Sequence, residues 1–176
     1  MQVTIRQEQT RDYEAVANLV AKAFAPLELS DHREHFLVKR LRTSAAFIPE
    51  LSLVAEINSE IVGYILLTKI HIQQGANRHV TLALAPLAVH PDKQHKGIGG
   101  NLIKHAHQQA REIGYRSVIV LGHAAYYTRF GYQQANKFDI TLPFDVPKAY
   151  SMAIALVEGG LDGVSGTVVY PREFFE

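Results

Sequence analysis

The sequence predicts an α/β domain built on a mixed, mostly antiparallel sheet with helices on both faces. Three strand-like runs follow one another between Leu51 and Val89 with only short turns between them, which indicates an antiparallel meander. A helical segment then separates Val89 from a β-branched run at 117–121, which indicates one parallel crossover. Segments of helical periodicity also precede the meander, so we expect helices on two sides of the sheet.

The N-terminal part of the chain predicts one short strand and two helices. Val3 and Ile5 alternate with polar residues, as on a half-buried strand. Thr10 is placed to cap a first helix that ends at Pro26, and Asp31 is placed to cap a second. The apolar residues at helical spacing are Tyr13, Val16, Ala17, Val20 and Phe24 in the first helix and Phe36, Leu37 and Leu41 in the second.

The rest of the chain predicts the sheet and two further helices. The helix after the meander runs to about Ile113, and Gly114 is well placed as its left-handed C-terminal cap. A short helix at 124–130 is closed by Gly131. The predicted strands are 51–57, 61–72, 80–89, 117–121, 138–142, 152–157 and 167–170.

Composition limits the classes of function. We expect a single domain over residues 1–176, with 47% hydrophobic and 20% charged residues, as in an ordinary globular protein. A formal net charge of +1 provides no field that would recruit nucleic acid or a membrane surface. The chain has no cysteine, which excludes disulfides, thiolate metal sites and a cysteine nucleophile. The N-terminus lacks the apolar core of a signal peptide, so we expect a cytoplasmic protein.

A glycine-rich turn between the third meander strand and the next helix is the strongest functional signal. A helix N-terminus with exposed amides favours phosphate, and glycine lets the backbone approach it closely. A Walker P-loop is excluded because no lysine follows the glycines, and a dinucleotide fingerprint is weak because Leu102 stands at its third glycine position. The candidate phosphate-binding residues are Gln94, His95, Lys96, Gly97, Ile98, Gly99 and Gly100.

Two motifs resemble those of the GNAT N-acetyltransferase superfamily. Val89-His90-Pro91 with the 94–102 segment resembles its acetyl-CoA signature, Gln/Arg-x-x-Gly-x-Gly/Ala. The 125–132 segment, Ala-Tyr-Tyr-Thr-Arg-Phe-Gly-Tyr, resembles its closing motif, an aromatic pair followed by Gly-Phe or Gly-Tyr. The motif spacing and the order of elements also agree, so the resemblance covers nearly the whole chain. The closing motif and the 161–166 tail are similar to those of a bacterial subgroup of predicted acetyltransferases.

The resemblance implies a splayed parallel strand pair that admits the pantetheine arm of CoA. Pro86 fits either a bulge in that strand or a strand that begins only after it. If the strands splay, the backbone of Leu87, Ala88 and Val89 pairs with the pantetheine, and an N–H there stabilises the thioester oxygen.

The resemblance also implies a tyrosine that protonates the departing CoA thiolate. Tyr127 is the preferred candidate because it lies four residues before Gly131, and Tyr126, a further CoA contact, is the alternative. The general base stays open, because residues 78–91 contain no Asp or Glu. The candidates are Glu28, Glu34 and His123, or no base at all with an acceptor amine of low pKa.

The resulting expectation is an acetyl-CoA-dependent N-acetyltransferase that acts on a primary amine of a small molecule or peptide by direct attack. A non-catalytic acyl-CoA-binding module on the same fold is the alternative, and a nucleotide-binding oxidoreductase is a third class. The nine histidines form no metal-binding motif, so we expect no metal and interpret them as surface residues. A homodimer through the C-terminal strands is plausible by resemblance.

Overall fold

The computed structural model describes residues 2–176, and its helices and strands follow the predicted order. The helices are α1 (Tyr13–Phe24), α2 (Glu34–Arg42), α3 (Ile98–Glu112) and α4 (Ala124–Tyr127). The strands are β1 (Thr4–Gln7), β2 (Ser52–Ile57), β3 (Glu60–Gln74), β4 (Asn77–Val89), β5 (Ser117–Leu121), β6 (Gln133–Gln134), β7 (Ile140–Thr141), β8 (Ser151–Ala155) and β9 (Gly166–Val169). None of the helices in this part of the chain combines the length and apolarity needed to cross a bilayer.

The strands form one mixed sheet, which confirms the predicted fold class. Their order is β1-β2-β3-β4-β5-β8-β6, and β2, β3 and β4 are the antiparallel meander. The β4–β5 pair is parallel, as the crossover through α3 predicts, and the short β7–β9 pair is also parallel. The strand β9 pairs with β3 at residues 71–73, beyond the part of β3 that pairs with β2.

Alternating residues of β3 belong to two hydrophobic clusters, which lie on opposite faces of the sheet. Ile65 and Leu67 belong to the cluster that contains Leu102 and other buried residues of α3. Tyr64 and Leu66 belong instead to the cluster formed with α1 and α2. Because successive side chains of a strand point to opposite faces, α3 lies on one face and α1 and α2 lie on the other.

The strand β4 is bulged at Pro86, just beyond the last residue that pairs with β5. Leu87 pairs with Ile65 and Leu84 pairs with Leu67, so β4 advances three residues where β3 advances two. The strand continues through Pro86, whose peptide bond to Ala85 is cis, and the interpretation in which it begins after Pro86 is wrong. Its pairing with β5 ends at Leu84. We call the opening between residues 85–89 of β4 and the end of β5 the wedge.

Both predicted helix caps differ from those in the structure. Thr10 begins a single 3₁₀ turn before α1, and the Asp12 carboxylate accepts a hydrogen bond from the Gln9 N–H at 2.8 Å. The first turn is therefore closed by Asp12 and not by Thr10. The residue that precedes α2 is Arg33, and the Asp31 carboxylate accepts its N–H at 2.9 Å.

The predicted strand 138–142 is shorter in the structure. Residues Ala135–Phe138 form a 3₁₀ turn, and Asp139 follows with a left-handed φ of 56°. A residue in this conformation interrupts an extended chain, so only Ile140–Thr141 pair with β9.

Candidate functional site

The backbone at the end of β4 presents hydrogen-bonding groups to the wedge. The N–H of His90 donates to Val62 of β3 at 2.8 Å, so by alternation the N–H and C=O of Leu87 and Val89 point away from β3. Ala88, which pairs with Tyr64, directs its own groups toward β3. Of the three residues predicted to pair with the pantetheine, Leu87 offers both backbone groups to the wedge and Ala88 offers none. Val89 offers its N–H, because its carbonyl accepts a hydrogen bond from Gln94.

The loop after β4 reverses its backbone before α3 begins. His95 and Gly97 both have left-handed conformations, with φ of 63° and 82°. The Gln94 side chain donates to the Val89 carbonyl at 3.2 Å, which anchors the loop to the end of β4. The side chains of Gln94, His95 and Lys96 are exposed. Such a turn directs successive amides toward one side, which is an anion-binding geometry.

The first turn of α3 has unpaired amides next to this loop. The earliest α-helical hydrogen bond runs from Asn101 N–H to the Gly97 carbonyl at 3.0 Å. The N–H groups of Ile98, Gly99 and Gly100 therefore have no partner within the helix, and Gly97 has no side chain to cap them. Together with the positive end of the helix dipole, they form a site for a negatively charged group.

The three glycines have different roles. Gly97 needs its left-handed φ and has no atom within 4 Å of where a Cβ would lie, so the space before the loop is open. A Cβ on Gly99 would lie 2.6 Å from the Tyr126 hydroxyl, and one on Gly100 would lie 3.2 Å from the Phe130 ring. The missing side chain of Gly99 therefore makes room for the Tyr126 hydroxyl, while its N–H stays among the unpaired amides of the first turn of α3.

The helix α4 places its two tyrosines in different surroundings. Tyr127 is 9% exposed, and its ring lies directly over Gly122, just after β5. Tyr126 is half-buried, and its hydroxyl reaches Gly99 close to Val89. The two rings meet edge to face with centroids 5.1 Å apart. Tyr127 thus flanks the wedge from the β5 side, whereas Tyr126 lies beside the first turn of α3.

Burial changes the acidity of both phenols. It raises the pKa of Tyr127 well above the usual value, and the neighbouring Tyr126 adds to this shift. It also raises the pKa of Tyr126, where the positive charge of Arg129 acts in the opposite direction. Both hydroxyls are therefore protonated at neutral pH and available as donors.

The three candidate bases differ in their surroundings. Glu28 and His123 are exposed. Glu34 receives a hydrogen bond from the Ser30 hydroxyl on Oε2 at 2.5 Å, and its Oε1 is buried without a hydrogen-bond partner among residues 2–176. An unpaired buried carboxylate oxygen is costly, so it marks a place where a donor is expected.

Two cavities flank these elements. One of about 880 Å³ lies between α1, the β2–β3 turn and residues 90–93, immediately before the glycine loop. The other, of about 600 Å³, lies between residues 43–46 and the chain after β9. Within the described chain, no group of three His, Asp or Glu side chains is arranged to hold a metal ion.

Sequence reasoning missed two buried polar clusters. On the α2 face, Ser52 Oγ bonds Glu8 at 2.8 Å and Tyr64 at 2.7 Å, and Glu8 also pairs with Arg42. On the α3 face, His107 is 6% exposed, which corrects its interpretation as a surface histidine. Its position four residues after Ile103 and three before Ala110, both buried, was the available signal.

Comparisons of sequence agree on one family. The model of the acetyltransferase (GNAT) domain matches residues 49–134. The uncharacterized N-acetyltransferase YjhQ of Escherichia coli K12 is 35% identical over 119 residues, which are 67% of this chain and 66% of YjhQ. The matched part is therefore slightly less than two thirds of that relative.

Two solved structures extend the similarity to nearly the whole chain. The GNAT family N-acetyltransferase YhbS from Escherichia coli, crystallised in complex with CoA, has a TM-score of 0.90 at 26% identity. That match covers 100% of this chain and 93% of the other. A GNAT family acetyltransferase from Brucella melitensis in complex with acetyl-CoA has a TM-score of 0.79 at 30% identity, and the match covers 98% of each chain.

Proposed function

Because the chain belongs to the GNAT acetyltransferase family, we propose that it transfers an acetyl group from acetyl-CoA to a primary amine. The observation that carries the proposal is the wedge, which ends at the unpaired amides of α3. The amides of residues 98–100 and the turn at His95–Gly97 suit the pyrophosphate, and the backbone of Leu87 and Val89 suits the pantetheine amides. Relatives crystallised with CoA and acetyl-CoA support this assignment.

The reaction needs one proton removed and one supplied. Acetyl-CoA supplies an activated thioester carbonyl. As the amine nitrogen forms its bond to that carbon, the carbon–sulfur bond breaks, the nitrogen loses a proton and the sulfur gains one. A backbone N–H of β4 facing the wedge stabilises the thioester oxygen while it carries negative charge. With no cysteine in the chain, an acetyl-cysteine intermediate is excluded and direct attack is expected.

We assign proton donation to Tyr127 and a donor-binding contact to Tyr126. Tyr127 lies over Gly122 beside the wedge, where the sulfur is expected, whereas the Tyr126 hydroxyl contacts Gly99, where the phosphates are expected. The raised pKa of Tyr127 keeps it protonated. The same desolvation raises the pKa of the departing thiol, which narrows the difference in proton affinity between the phenol and the sulfur.

We favour Glu34 as the group that receives the acceptor's proton or holds its ammonium. It lies one helical turn before Val38, which packs in the same cluster as Ala88 of β4. Its Oε1 is the buried oxygen without a partner described above. Glu34→Gln is expected to reduce acceptor-dependent turnover about tenfold or more, and Glu28→Gln, an exposed matched control, to change it less than about twofold. Equal effects in the two variants would remove Glu34 from this role.

The first experiment is a thiol-release screen with acetyl-CoA against polyamines, amino acids, aminoglycosides and peptides. Acceptor-dependent release is the expected result. Binding of CoA without release for any amine would contradict transfer and support a sensing role. Protection from unfolding by NAD(P) but not by CoA would contradict both.

The matched pair Tyr127→Phe and Tyr126→Phe tests the assignment of the acid. Tyr127→Phe is expected to lower kcat by about 10²-fold, in the range for general acids, with KM for acetyl-CoA nearly unchanged. Tyr126→Phe is expected to raise that KM more than it lowers kcat. The reverse pattern would assign the acid to Tyr126.

A further inference from the structure

A buried pair behind Tyr127 has no part in the mechanism so far. The His107 side chain on α3 and the Tyr132 hydroxyl after α4 share a hydrogen bond of 2.7 Å between Nε2 and the phenol oxygen. His107 is 6% exposed and Tyr132 is 2% exposed. Burial lowers the pKa of His107 to about 4, with the charge of Arg111 adding to the shift, so the pair is neutral at physiological pH.

This pair is in contact with the proposed acid. The rings of Tyr132 and Tyr127 meet edge to face with centroids 5.5 Å apart and an interplanar angle of 72°. The Tyr132 N–H also donates to the Tyr127 carbonyl at 3.4 Å. On its other side, the Tyr127 ring is enclosed by Gly122 and by the edge contact with Tyr126. The direction of the Tyr127 phenol is therefore set by ring contacts, and the orientation of Tyr132 is set by His107.

We propose that His107 is a positioning residue that holds Tyr132 against Tyr127 and so aims the Tyr127 hydroxyl at the CoA sulfur. The proposal rests on the proposed function, since it requires Tyr127 to meet the thiolate. It adds a role for α3 beyond its N-terminus, because the helix that presents amides to the phosphates also positions the acid about two and a half turns later. Loss of the hydrogen bond frees the Tyr132 ring and widens the range of Tyr127 orientations.

The test compares the binding of CoA with that of dethio-CoA, which lacks the sulfur, and needs no acceptor. Calorimetry is carried out between about pH 8 and 10.5, a range that spans the ionisation of a free alkyl thiol, and the preference is taken at the alkaline end, where the thiolate is the main species. The wild-type protein is expected to bind CoA about tenfold more tightly than dethio-CoA, since a hydrogen bond to a charged acceptor is worth at least that factor. Tyr127→Phe should abolish this preference.

His107→Leu is expected to reduce the preference to about threefold, because the hydroxyl is only partly misdirected. His107→Gln retains a hydrogen-bonding group near Nε2 and should restore the preference to within about twofold of wild type. Tyr132→Phe, which keeps the ring and removes the hydroxyl, should resemble His107→Leu and serves if that variant does not fold. Affinity for dethio-CoA should stay the same in all of them, which reports an intact donor site.

The measurements distinguish failure of the positioning role from failure of the proposed function. A full preference in both His107→Leu and Tyr132→Phe, together with its loss in Tyr127→Phe, would overturn the positioning role and leave the proposed acid in place. A full preference in Tyr127→Phe would contradict the contact between Tyr127 and sulfur and would overturn both. Equal losses of CoA and dethio-CoA affinity in His107→Leu would show a purely structural role.

Discussion

The two faces of the sheet hold buried polar clusters of opposite character. On the α2 face, Glu8 and Arg42 are a charged pair whose side chains are 1% and 9% exposed. The hydroxyls of Ser52 and Tyr64 complete its hydrogen bonds. On the α3 face, neutral His107 and Tyr132 share one hydrogen bond, and the Tyr132 ring meets the Tyr127 ring edge to face. The charged cluster joins the residue after β1 to β2, β3 and α2, whereas the neutral cluster lies beside the wedge, where we propose that a proton is transferred.

The two clusters respond differently to substitution, because one is charged and the other is neutral. Breaking a buried ion pair leaves an uncompensated charge, so the α2 face tolerates little change. Neutral aromatic groups keep their packing when a hydrogen bond is lost, so the α3 face can change in geometry without unfolding. Substitutions in the first cluster should therefore appear mainly as stability, and those in the second mainly as reactivity or pH dependence.

The largest effect is expected from Arg42→Leu, which strands the Glu8 carboxylate in the core. We expect a loss of about 3–5 kcal/mol in the free energy of unfolding, measured by urea denaturation. Arg40→Leu is the matched control on the same helix, because within residues 2–176 the Arg40 side chain donates to the Glu173 carbonyl and to no carboxylate. A difference of less than about 1 kcal/mol between the two variants would show that the pair is not the anchor of α2.

His107 should produce an acid-sensitive contribution to stability. Its pKa is lowered from 6.5 to about 4 in the folded protein, so the unfolded chain binds the proton more readily. Neutral His107 therefore contributes fully to the free energy of unfolding above about pH 6.5. This contribution falls by roughly 3 kcal/mol as the pH is lowered to about 4. Across this pH range, the measured free energy of unfolding should change less steeply with pH in His107→Gln than in the wild-type protein. An unchanged slope would place the titration elsewhere in the chain.

The smallest effect on stability is expected at two left-handed glycines at opposite ends of α3. Gly97 and Gly114 have φ of 82° and 98°, and both would project a Cβ into open space. Alanine at either position should cost about 1–2 kcal/mol because of backbone strain. Only Gly97→Ala should also weaken CoA binding, by about tenfold, since it moves amides aimed at the phosphates. Similar CoA affinities in both variants would remove Gly97 from the donor site.

The turn from β4 into α3, where we place the acetyl donor, could be predicted from the sequence because its determinants are local. Gly97 must adopt a left-handed φ, and the helix that follows has a clear apolar face, so the turn from β4 into α3 is encoded within a few residues. Gly114 ends that helix with φ of 98°, as predicted. The bulge at Pro86 was one of two open interpretations, since only the register with β3 decides it.

The remaining features depend on contacts between distant segments. No local pattern indicates that Gly99 receives the Tyr126 hydroxyl or that His107 meets Tyr132. The buried Glu8–Arg42 pair could not be predicted for the same reason. Charged residues are normally exposed, and their burial can be inferred only when the partner of opposite charge is known. The strand predicted at 138–142 is interrupted at Asp139, whose left-handed conformation follows from the 3₁₀ turn before it.

The strand β9 is synthesised long after β3, the strand with which it pairs, and this has a consequence for the nascent chain. Residues 71–73 of β3 find their edge partner only in Thr167–Val169, close to the end of the sequence. While the chain emerges from the ribosome, the long hairpin β3–β4 can form early, but this part of its edge stays open until β9 follows. Open edges are templates for intermolecular pairing, so nascent or truncated chains that lack β9 should aggregate more readily than chains that contain it.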